Sequence, residues 1–201
     1  MSRSLRLVAA AGAAVVSLAW LVAGGLAHGG PPLRLGVTPD PALTAVGRLV
    51  LVHLREGIGF AVDWREFPDE AALRSAFAGG KLDIAVGLTQ PPGPGLPVSA
   101  SAPCPRETLS SLSEGLRRSW GGEVFLLGYP VGQAACAHPA LIVSRTVLED
   151  LRFGILGKEA GRVAGLITAE DALAVRTANE RGGERAAVAA ARAALAAKAR
   201  P

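Results

Sequence analysis

From residue 33 onward, short apolar runs alternate with longer stretches of helical periodicity. "LRLGVT", Leu33–Thr38, predicts a first strand. In the "PDPALTAVGRLVLVHLREG" that follows, Leu43, Val46, Val50, Leu51 and Leu54 recur at helical spacing. That spacing predicts a helix from Pro41 to Glu56 with one face on a sheet, capped by Asp40, with Pro41 at the first position where its missing N–H costs nothing. Gly57 and Gly59 stop it. "FAVDWREF", Phe60–Phe67, alternates without a cleanly apolar face, so it predicts an edge or near-edge strand. Pro68–Gly80 reads as a compact helix with acids in its first turn and glycines at its end. "DIAVGLT", Asp83–Thr89, is continuously apolar, as a parallel strand covered on both faces should be. Asp83, at its entry, is expected to pair with a neighbouring helix or with Lys81. Three strands separated by two helices make βαβαβ units and place the chain in the α/β class.

Beyond Gln90 the pattern loosens. "PPGPGLP", Pro91–Pro97, turns the chain, Ser99–Ser113 is rich in Ser and Pro, and a short amphipathic helix is expected around Glu107–Trp120. Glu123–Tyr129 and Pro139–Arg145 predict two further strands. From Thr146 the chain reads as helical, with breaks near Gly154–Gly165 and at Gly182-Gly183. Thr168 and Asp171 form a capping-box pattern, with Asp where Glu or Gln is usual.

Targeting and charge change the picture at the N-terminus. Arg3 and Arg6 precede an apolar run from Leu7 to Leu26 that ends in the small residues Gly25–Ala27, so residues 1–27 read as an export signal. At about 20 residues the run is also long enough to be an uncleaved inner-membrane anchor, and either reading puts residues 28–201 in the periplasm. Without Arg3 and Arg6 the side-chain balance falls from +4 to +2, and no basic block remains to suggest nucleic acid. Cys104 and Cys136 are the two cysteines. In an oxidising compartment they predict one disulfide, worth about 3–4 kcal/mol by chain-entropy reasoning. The other reading, a metal site built on Cys136-Ala137-His138, lacks a nearby carboxylate partner, and no metal or cofactor is assigned. An enzyme is not indicated: there is no nucleophile elbow, no His-Glu-x-x-His and no phosphate loop, and Gly57-Ile58-Gly59 lacks the third glycine of a dinucleotide turn. His53 lies on the first helix as a surface or half-buried imidazole.

The stretch from Leu33 to Thr89, with Phe77-Ala78-Gly79-Gly80-Lys81-Leu82-Asp83-Ile84 in place of an "L-x-x-G-x-x-D-i" element, resembles the start of lobe one in periplasmic substrate-binding proteins of ABC transporters. Within them it is closest to the glycine betaine and quaternary-amine group. His138–Leu151 is similar to that family's returning strand and following helix, and Gly165–Leu195 to its closing helices, with Asn179 near a family Asn. Family members carry a second α/β lobe between the third strand and the returning strand. Here only Gln90–Gly122 occupies that interval, which is a short linker with one helix.

The resemblance therefore implies a single lobe: a mainly parallel sheet of about five strands flanked by helices, with a helical C-terminus. It implies non-catalytic recognition of a small solute (betaine, another quaternary amine or an amino acid-like molecule) in company with an ABC permease, or in a homodimer that completes the cleft. The alternative is a one-lobe interaction module that has lost its solute. Ligands of open α/β sheets sit beyond the C-terminal ends of the strands, which selects Thr38, Asp40 and Thr44 after the first strand and Thr89 and Gln90 after the third. Trp64 is the candidate aromatic face; outside the signal, only Trp120 and Tyr129 accompany it as electron-rich rings. The helix starting near Pro41 would turn its N–H groups toward this crevice and favour an anionic group. The plain alternative is that Thr38 and Asp40 only cap that helix.

Overall fold

A computed structural model describes residues 31–88, 109–121, 124–127, 139–150, 158 and 167–198. Strand β1 (Leu33–Val37) leads into helix α1 (Pro41–Val52), which continues as a π-helical turn over His53–Ile58. Gly59 ends it in the left-handed conformation at φ 86°, where a side chain would be strained. Strand β2 (Val62–Glu66), helix α2 (Glu70–Ala78) and strand β3 (Ile84–Leu88) complete the first half. Helix α3 (Leu109–Trp120), strands β4 (Val124–Leu127) and β5 (Pro139–Ser144), the short helix α4 (Arg145–Glu149) and the long α5 (Ala169–Lys198) follow.

The five strands form one sheet in the order β2-β1-β3-β5-β4. The first three are parallel, with Leu33 opposite Val62 and Leu35 opposite Ile84. β5 runs antiparallel to β3, Ile84 facing Val143, and β4 is antiparallel to β5. The expected α/β class, the edge position of β2 and the two-face burial of β3 are all present; all but the last residue of β3 are buried.

Alternation along the strands divides the core in two. Leu33, Leu35, Val37, Ile84, Val86, Leu141 and Val143 point to the side of α1 and α5. Ala85 and Ile142 point to the side of α2 and α3, where Leu73, Phe77, Leu82, Leu116 and Trp120 pack. Each large side chain so buried contributes about 1.5–3 kcal/mol. On that second side Gly87 lets Trp120 lie directly on β3: a Cβ there would stand 2.3 Å from the indole.

α1 is not the one-faced helix its leucine and valine spacing predicts. Ala45, Arg48, Leu49 and Val52 are buried as well, so both its sides are covered. The cover is α5, whose run of helix is broken at Gly183 (φ 67°, ψ −163°), as the Gly182-Gly183 pair predicts. The first-turn Asp171 meets the last-turn Lys198, so the arms 169–182 and 184–198 fold back on each other as a hairpin. Ala187 and Ala191 of the second arm are buried with α1 in the same core cluster, their small side chains allowing close approach. Two ion pairs fix this second arm along α1: Arg48 with Glu184 at 2.6 Å and Glu56 with Arg192 at 2.6 Å. Both keep the same sequence separation of 136, so the second arm runs parallel to α1 in a charge-matched register.

The capping box also forms. Thr168 donates its amide and its hydroxyl to Asp171 at 2.7 Å each, and the Asp171 amide donates back to the Thr168 hydroxyl at 3.2 Å.

Candidate functional site

Where the crevice is expected, beyond β1, the chain makes a tight turn into α1. Asp40 Oδ1 accepts the amides of Ala42 (2.8 Å) and Leu43 (3.0 Å), and the Asp40 carbonyl accepts the amide of Thr44 at 2.8 Å. Pro41 has no N–H to give. Every amide of the first turn is therefore occupied, and a carboxylate already sits where an anion would bind. Thr38 is 5% exposed, and its carbonyl accepts the Thr44 hydroxyl at 3.0 Å. Thr38, Asp40 and Thr44 are thus brought together, but their polar groups are largely directed at one another. Thr89 and Gln90, the other half of the expected crevice, lie outside the described residues, as do Cys104, Cys136 and the segment 1–27.

Trp64 is elsewhere. It stands at the middle of β2, opposite Leu35, on the face covered by α1; a Cβ on Gly47 would touch its ring. The guanidinium of Arg48 lies 4.0 Å from the ring centroid, and the indole N–H donates to Glu66 at 2.9 Å. One face of this ring already carries a cation, and that cation is held by Glu184. Arg48 is the residue that periodicity alone passes over. The available signal is a single charge inside the apolar "VGRLVLV", which calls for a buried partner.

Asp83 pairs with Arg34 of β1, not with Lys81 or a helix. Its Oδ2 accepts the Arg34 amide (2.8 Å) and Nε (2.9 Å), and its Oδ1 accepts Nη2 at 2.7 Å. Bonding to Asp83 raises the guanidinium pKa further above its ordinary range. The carboxylate side chain is 14% exposed, which makes this a clamp between neighbouring parallel strands.

Beside that clamp, at the N-terminal ends of the parallel strands, is a cavity of about 370 Å³. Its walls come from the ends of α2 and α3, the start of β4 and the turn from β5 into α4. It is at the opposite end of the sheet from the Thr38–Asp40 crevice. Among the described residues no cluster of three or more His, Cys, Asp or Glu is arranged to hold a metal ion, and no helix is long and apolar enough to cross a membrane.

The fold and these sites define an α/β protein with one mixed sheet, helices on both faces and a C-terminal helical hairpin. Comparison with protein-family models, with characterised protein sequences and with solved structures finds no match.

Proposed function

We propose that the chain is an exported, non-catalytic recognition lobe related to the solute-binding components of glycine betaine-type ABC transport systems, acting in the periplasm beside a permease. The observation that carries this reading is the sheet order. A parallel β2-β1-β3 unit is followed, after an interval too short for a second lobe, by a returning strand that joins the same sheet beside β3. That is the arrangement a lobe would have if its partner lobe had been replaced by a linker. Half a cleft binds weakly on its own, because little of the ligand surface is enclosed. A second copy or the permease would supply the other half.

Calorimetric titration with betaine, choline, carnitine and amino acids tests this. A binder at a hundredfold excess over its Kd stabilises the fold by about 2.7 kcal/mol, which a thermal melt also registers. A flat response across the panel, with the protein alone and in the presence of its permease, would remove the solute-binding reading. A second reading, an interaction module that has lost its solute, is favoured by two observations: the α1 amides are taken by Asp40, and a Trp64 face is taken by Arg48. A non-reducing mass measurement of the secreted form tests export and oxidation together. The expected product begins after Ala27 and lacks two hydrogens for a Cys104–Cys136 bridge.

A further inference from the structure

We propose that the second arm of α5, residues 184–198, is exchanged between two copies of this chain, each arm packing on the α1 of the other copy. Gly183 alone departs from helical backbone angles within Ala169–Lys198. Rotating that one residue to helical angles makes α5 a continuous rod of 30 residues, about 45 Å long. Both tip glycines serve the reversal: Gly183 holds φ 67°, and a Cβ on Gly182 would stand 2.8 Å from that of Ala186. Residues four apart in an unbroken helix keep their Cβ atoms about 5–6 Å apart, so this crowding disappears when the rod straightens. A short hinge, constrained when closed and relaxed when open, is what lets an element pass to a second copy at low cost.

The contacts that hold the arm can all be remade by a second copy. Arg48–Glu184, Glu56–Arg192 and Asp171–Lys198 each join the second arm to a different element or to the first arm. Ala187 and Ala191 are the arm's only buried residues, so undocking it lifts no large side chain of its own from full burial. Ile167 and Val175, before and within the first arm, are buried and stay with their own body. Residues 179–185 at the tip are all exposed, so the rod can extend there clear of its own core. In the exchanged form two rods run antiparallel, with Asp171 of one copy beside Lys198 of the other. The midpoint of that register falls between Glu184 and Arg185, so the two-fold axis passes there and the copies meet through residues of opposite charge. The Glu184 side chain, 66% exposed beside its bond to Arg48, is open to that contact. This inference goes beyond the solute-binding reading and does not rest on it.

The test is native mass spectrometry of the full chain, refolded at a series of concentrations from mixtures of isotope-labelled and unlabelled chains. The parent should give a dimer whose share grows with concentration. Gly182→Ala together with Gly183→Ala should raise the ratio of dimer to monomer at least about tenfold, because two glycines are removed from the interior of the rod. Charge reversal identifies the exchanged arm. Glu56→Arg and Arg192→Glu each set like charges together, both within one chain and in a dimer of identical chains; mixing the two variants restores opposite charges at both interfaces only through exchange. The mixed chains should therefore pair with each other at least about tenfold beyond the statistical proportion. A parent that stays monomeric at every concentration, statistical pairing in the mixture, or a folded double-alanine variant with no more dimer than the parent would each overturn the proposal. If the double-alanine variant does not fold, the charge-reversed pair, which leaves the hinge intact, decides. Dimers formed through any other surface, a completed solute cleft included, would pair statistically, so failure here and failure of the solute-binding reading are distinguishable.

Discussion

Asp83 is the residue whose role changes most between sequence and structure. Its carboxylate accepts three N–H groups from a single arginine on the neighbouring strand, which no local pattern announces because Arg34 is 49 positions away. Replacing it by Asn keeps the shape but removes the charge that holds the guanidinium, so Asp83→Asn should cost about 1–3 kcal/mol. An unchanged urea midpoint would remove the clamp as a source of stability. Gly87 makes a separate prediction. A Cβ there would meet the rigid Trp120 ring at 2.3 Å in a region already filled by Ile142, so Gly87→Ala should destabilise by about 1–3 kcal/mol and red-shift the Trp120 emission as the ring is displaced. The Asp40 cap, by contrast, was legible from sequence: its signal is local, a short acceptor followed by Pro, and local chemistry suffices to form it.

Among the elements, α5 shows where local reading stops. The glycine pair predicts a break, but whether the chain then continues outward or folds back depends on partners far away in sequence, on α1. Gly183 holds φ and ψ in a region that only glycine occupies readily, so Gly183→Ala should cost about 1–3 kcal/mol by opening the hairpin. Gly115 sits in α3 with open space where a Cβ would go, and Gly115→Ala should instead stabilise by about 0.5–1 kcal/mol. Opposite shifts of the thermal midpoint in these two variants are the expected result; shifts of the same sign would contradict it. The hairpin closure is also sensitive to pH. Burial alone would raise the Asp171 carboxyl, but hydrogen bonds from Lys198 and Thr168 outweigh it and hold the group below its ordinary value of 3.8. The folded state thus binds this proton less readily than the unfolded chain. Its contribution is complete above the ordinary value and is lost as pH falls through 3.8 and below. Unfolding midpoints measured from neutral to acid pH should fall less steeply in Asp171→Asn than in the parent chain.

At the scale of the whole molecule, the α/β class, the five strands and their approximate limits follow from periodicity, because burial on two faces imprints itself on composition. The antiparallel sense of β5, the second layer over α1 and the Arg48–Trp64 contact do not, since each depends on which distant segments meet. The candidate crevice shows the same division. Thr38, Asp40 and Thr44 are neighbours in sequence and in space, whereas Trp64, proposed for the same site, is drawn under α1 by its strand register. The twin ion pairs between α1 and the second arm carry one more consequence, for changes in chain length. Because both keep a separation of 136, residues added or lost anywhere between Glu56 and Glu184 leave the two contacts compatible with each other. A single residue inserted between Arg48 and Glu56, or between Glu184 and Arg192, would turn one partner by about 100° about its helix and break the match. These two contacts therefore set no limit on chain length between β2 and α5, and they do limit these two eight-residue intervals.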